Sequence, residues 1–118
     1  MKTLLIETLE SLGYPVYLQG SIIAEDEVYP NSYITFLTVD SYNEADFDDK
    51  THAIGWRFQV AFYSSDPMLV ASVPKSIRMA LKGAGFIPTG SGRDLPSDEP
   101  THTGWVQDYY ILETIKED

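Results

Sequence analysis

Ile54-Gly55-Trp56-Arg57-Phe58-Gln59-Val60-Ala61-Phe62-Tyr63 sets Trp56, Phe58, Val60 and Phe62 against Arg57, Gln59 and Ala61. A period of two places the large apolar set on one face of an extended chain, so the stretch reads as a half-buried strand. Two serines later comes Asp66-Pro67. An Asp can accept from the free N–H groups of a first helical turn, and Pro fits the first helical position without losing a bond. Val70, Val73, Ile77, Leu81 and Ala84 then recur at helical spacing, with Leu69 and Ala80 widening the stripe, until Gly83 and Gly85 stop it. Pro74 inside this pattern marks either a kink or a later helix start. Lys75, Arg78 and Lys82 fall on the opposite side, and a solvated face is their simplest reading.

On the N-terminal side, Leu5, Leu9 and Leu12 share helical spacing, and Gly13 and Pro15 stop a short helix over Met1 to Leu12. Val16 to Ile23 is β-favouring. Pro30-Asn31-Ser32 is a turn signal, and Tyr33 to Tyr42 after it reads as a strand. Ile34 and Phe36 lie on one of its faces, Leu37 and Val39 on the other. Such a strand is either covered twice or keeps one face for a partner. Asn43 to Lys50 is acidic and reads as a loop or hairpin tip. On the C-terminal side, Phe86-Ile87 begins a short strand, Pro88 to Pro100 reads as a long loop, and Trp105 to Ile115 is the last strand. Helices that do not alternate with the strands predict an α+β fold. The expectation is one domain over residues 1–118, with two helices on one face of a four- to five-stranded sheet. Its pairing should be mostly antiparallel, with a mixed sheet allowed.

The chain has 118 residues, 43% hydrophobic and 22% charged, the balance of a globular protein. Eight Lys and Arg against 18 Asp and Glu give a net charge of -10. That argues against tight binding to nucleic acid, which needs clustered cations, and against anionic membranes. No cysteine is present, which excludes thiol nucleophiles, disulfides, zinc ribbons and iron–sulfur clusters. No apolar run approaches a membrane span, and the N-terminus turns acidic at Glu7 and Glu10 instead of forming a signal peptide. Synthesis in the cytoplasm is therefore expected.

Chemistry is thinly supplied. His52 and His102 are too far apart for a helical ligand pair, and each reads as a surface residue. Counting from Glu44 or from Asp46, the sixth position of a calcium loop would be Asp49 or Thr51, where glycine is needed. Gly90-Ser91-Gly92-Arg93 lacks the helix that a phosphate cradle requires, and Ser91 is in no nucleophile elbow. Neither a catalytic residue nor a metal or cofactor is expected. The 15 aromatic residues, eight of them Tyr, are more than a small core demands, and tyrosine suits a surface buried on association.

The order of segments resembles the tail terminator or tail-completion proteins of long-tailed bacteriophages. The matching pieces are Gly13-Tyr14-Pro15-Val16-Tyr17, Pro30-Asn31-Ser32-Tyr33-Ile34-Thr35, Trp56 to Ser64 leading to the helix after Asp66, Gly83-Ala84-Gly85-Phe86, and Tyr109-Tyr110-Ile111-Leu112. The resemblance covers most of the chain and implies a structural virion protein without enzymatic activity. It implies a hexameric ring that caps the tail tube and meets a head connector protein. A second reading is an acidic DNA mimic that inhibits a nucleic-acid enzyme, although the carboxylates gather in loops instead of along one face. Another head–tail connector component is the neighbouring alternative to the first reading, and a third class, a small enzyme or metal-binding module, has no coherent constellation to support it. On the first reading, Tyr33, Leu37, Val39 and Tyr109 would serve self-association. Glu44, Asp46, Asp48 and Asp49 would face the lumen or a partner, and both long loops would be mobile in the free chain.

Overall fold

Asp66 starts the second helix as its chemistry requires, its Oδ1 accepting from the Met68 N–H at 2.9 Å. The computed structural model describes residues 1–19, 30–48, 51–96 and 101–116, with side chains described except at 43–52 and 115–116. Helix α1 spans Lys2–Glu10 and α2 spans Pro67–Gly83, unbroken through Pro74. The strands are β1 (Val16–Leu18), β2 (Ser32–Asp48), β3 (Thr51–Ser64), β4 (Ile87–Pro96) and β5 (Thr103–Lys116). They form one sheet in the order β1-β2-β3-β5-β4. Only β1 pairs in parallel, with β2; the other pairs are antiparallel. This is an α+β fold on a five-stranded mixed sheet.

Residues directly opposite across strands share a face. Ile34 pairs with Phe62, Phe36 with Val60, and Phe58 with Tyr109. These side chains form one core with Leu5 and Leu9 of α1, Val73, Ile77 and Leu81 of α2, and Phe86. Each such side chain contributes about 1.5–3 kcal/mol by leaving water. Tyr33, Ala61, Tyr63 and Val106 form a second buried cluster on the opposite face. The end of β3 is therefore buried on both sides, not on one as its alternation suggests. There, Tyr33 and Tyr63 stack with centroids 5.1 Å apart.

Two expected loops are strand over their described parts. Residues 43–48 continue β2, which is three residues longer than β3 because Val39, Glu44 and Phe47 are each extra at a bulge. Each bulge twists the strand and exchanges its faces, so Val39 does not continue the row of Leu37. Asp40 takes that side instead, opposite Arg57, and Tyr42 stands opposite Gly55. The expected loop from Pro88 is edge strand β4 as far as Pro96. Paired backbone there supplies the order that side-chain burial does not. The end of the expected first strand, through Ile23, the acidic run Glu25-Asp26-Glu27 and residues 97–100 lie outside the described residues.

Candidate functional site

Between α2 and the β5–β4 side of the sheet lies a cleft of about 270 Å³. Local sequence builds each wall. Pro74 cannot donate to the Val70 carbonyl one turn earlier, and both residues line the cleft. On the far side, Gly90, Ser91 and Gly92 together face a single residue of β5, Gln107. Gly90 and Gly92 have φ of 74° and 86°, a conformation that glycine adopts without a Cβ clash. The Gln107 amide donates to the carbonyls of Thr89 at 2.6 Å and Gly90 at 3.2 Å, holding the widened turn of the edge strand. Gly92 also makes room for Trp105, since a Cβ there would sit 2.8 Å from the ring's Cζ2 and closer still to its Nε1. The Gly-Ser-Gly run is therefore neither a phosphate loop nor a turn between strands; it is a bulge that brings Ser91 to the cleft.

Val60, Phe62, Val70 and Ile77 are the cleft's apolar lining, with Trp105 beside them. Its polar groups are Lys75 and Arg78 of α2, Ser91, Gln107 and Tyr109, and among the described residues no carboxylate lines it. Lys75 and Arg78 are exposed, three residues apart, and without an ion-pair partner among the described residues. Tyr109 is 1% exposed, and its hydroxyl has no hydrogen-bond partner among the described residues. Burial pushes that hydroxyl up to about 12, with Arg78 pulling it back, so it stays protonated and able to donate.

The opposite face of the sheet carries a different feature. Tyr42, Gly55 and Leu112 stand in one cross-strand row. The next row holds Asp40, Arg57, Tyr110 and Ile87. Tyr42 is 43% exposed, Leu112 46% and Ile87 57%. Gly55 leaves a dip between the first two. Here β2, β3 and β5 run on past Ile87, the start of β4.

The expected self-association residues do not assemble into one surface. Tyr33 and Tyr109 are buried within the chain on opposite faces, so neither offers area to a partner. Leu37 is half-buried, and Val39 is exposed at its bulge. On this face of the sheet Tyr42, Ile87 and Leu112 carry exposed apolar area instead, while Leu18, Met68 and Met79 are exposed elsewhere. Tyr42 and Leu112 lie at the ends of stretches already read as strands, but only the bulge shows that Tyr42 and Leu112 share a row. Glu44, Asp46 and Asp48 belong to the extended part of β2, their side chains undescribed, and Asp49 lies outside the described residues.

His102 is not a surface residue. It is 7% exposed, its Nε2 donates to the Pro30 carbonyl at 2.8 Å, and its Nδ1 lies 2.9 Å from Thr101 Oγ1. The ring thus ties the entry of β5 to the entry of β2, a structural task. Among the described residues no three of His, Asp and Glu gather as metal ligands, and no helix is long and apolar enough to cross a membrane. No protein-family model matches the sequence, and no curated protein matches it.

Proposed function

We propose that this chain is a structural virion protein that forms a ring, hexameric as the resemblance above implies, and that it caps a tail tube and joins it to a head connector. It works by self-association and docking, without turnover, cofactor or metal. The observation that carries this reading is the exposed row of Tyr42 and Leu112 flanking Gly55, with Ile87 beside it. Apolar area of this kind on strands that outrun their neighbour suits burial against a second copy. Arg57 and Asp40, within the same patch, would set the register of that contact, because unlike charges align and like charges repel. The net charge of -10 suits a ring through which DNA passes without sticking.

The test is native mass measurement over a concentration series, with electron microscopy of the protein alone and on purified tail tubes. The expected result is a concentration-dependent oligomer and a ring at the tube end. Leu112→Asp, at an exposed position, should leave the fold intact and shift the assembly towards monomer. A chain that stays monomeric at the highest concentration and forms no ring on tubes would sink the proposal.

A further inference from the structure

The cleft under α2 lies on the other face of the sheet from the Tyr42–Leu112 row, and its composition is unusual for this chain. In a protein with 18 acidic residues, the cleft is lined by two of the eight cations and, among the described residues, by no carboxylate. Apart from Ser91, Gln107 and the Tyr109 hydroxyl, the rest of its lining is aliphatic and aromatic. Beside the cations lies the hydroxyl of Tyr109, which opens to the cleft and has no hydrogen-bond partner among the described residues. A hydroxyl at the wall of a largely apolar cleft is a donor that a ligand acceptor can pair with away from bulk water. The volume of about 270 Å³ lies just under the ~300–1,000 Å³ typical of small-molecule sites.

We infer that the cleft is a binding site for a small apolar carboxylate: a body the size of one aromatic ring against Val60, Phe62, Ile77 and Trp105, and a carboxylate held by Arg78, Lys75 and the Tyr109 hydroxyl. Arg78 suits a carboxylate because its planar fork can donate two parallel hydrogen bonds. Tyr109, protonated at neutral pH, donates a third. A cationic ligand would meet two like charges at the mouth, and a neutral one would forgo the charge-assisted hydrogen bonds that a carboxylate makes with Arg78 and Lys75. The site lies within one chain and stands or falls independently of ring formation. Its ligand chemistry has two sources, a free aryl or alkyl acid and the carboxyl terminus of a peptide ending in an apolar residue.

The test is titration of the full chain followed by the two tryptophan indole N–H signals in a nitrogen–proton NMR spectrum. Trp105 lines the cleft, whereas the Trp56 indole is held by Glu113 at 3.0 Å and serves as the internal control. The probe is 3-phenylpropionate, compared with 3-phenylpropanol and 3-phenylpropylamine. The acid should shift the Trp105 signal and bind roughly tenfold or more tightly than the alcohol, the worth of one charge-assisted hydrogen bond. Arg78→Gln, at an exposed position, should abolish that preference with the spectrum otherwise intact. Tyr109→Phe should weaken the acid and leave the alcohol unchanged. Gly-Gly-Phe with a free carboxylate, run beside its amide, distinguishes the sources: tighter binding than the free acid assigns a peptide terminus, weaker binding a free acid. Equal binding of acid, alcohol and amine, an acid affinity unchanged in Arg78→Gln, or no Trp105 response to any probe would overturn the inference.

Discussion

Gly104→Ala gives the packing behind the sheet's second face a test in which the sign of the answer decides. Gly104 is a strand residue without a positive φ, so adding a methyl group would ordinarily raise stability by roughly 0.5–1 kcal/mol through the unfolded chain's entropy. Here the new Cβ would stand 2.6 Å from both Cδ1 and Cε1 of Tyr63 and 3.1 Å from the Leu95 carbonyl oxygen. Carbon atoms rest at about 3.5–4.0 Å, so the ring must retreat by nearly 1 Å. It has little room, because Tyr33 is stacked on Tyr63 at 5.1 Å and both are buried. Overpacking of this kind costs about 1–3 kcal/mol. For a chain of 118 residues the entropy of unfolding is roughly 0.25 kcal/mol/K, so the melting temperature should fall by about 4–12 °C. Urea unfolding of the single variant and of its combination with Tyr63→Ser supplies the second measurement. With the ring removed, the alanine should become neutral or stabilising. A Gly104→Ala protein as stable as the parent, or more so, would refute the placement of Tyr63 over Gly104.

Three further outcomes follow from the same coordinates. Gly92→Ala combines a φ of 86° with a methyl group inside the Trp105 indole, and calorimetry should show a loss of about 2–4 kcal/mol, at least that of Gly104→Ala. Thr35 Oγ1 is buried without a hydrogen-bond partner among the described residues, so Thr35→Val should be neutral or stabilising by up to about 1 kcal/mol; a loss larger than that in denaturant titration would show a bond to the hydroxyl. Tyr109 ionises near 12 when folded and near 10 when unfolded, so its contribution is intact below pH 10 and is lost as pH climbs from about 10 to 12. Urea midpoints across that range should fall less steeply in Tyr109→Phe than in the parent, and equal slopes would contradict the burial.

Where a local rule is strong, the sequence alone determined the structure. Asp66-Pro67 begins α2, Gly83 and Gly85 bracket its end, and the alternation from Ile54 to Tyr63 is the strand at the sheet's centre. These features need only a cap, a proline ring or a period of two, each acting within a few residues. The α+β class followed from their order. What the tertiary structure decided depends on partners far along the chain. Pro88 to Pro96 has little apolar content and reads as loop, yet β5 pairs with it and Gln107 satisfies the carbonyls at its bulge. Ladder bonds to a distant strand leave no mark in local composition. The exposed patch was hidden for a related reason. One extra residue at Val39 moves Tyr42 onto the face of Leu112, and register is a property of two strands, not of either sequence alone. Tyr109 reads as a candidate contact because tyrosine favours interfaces, but α2 packs over it, and only that packing turns its hydroxyl into the inner wall of a cleft.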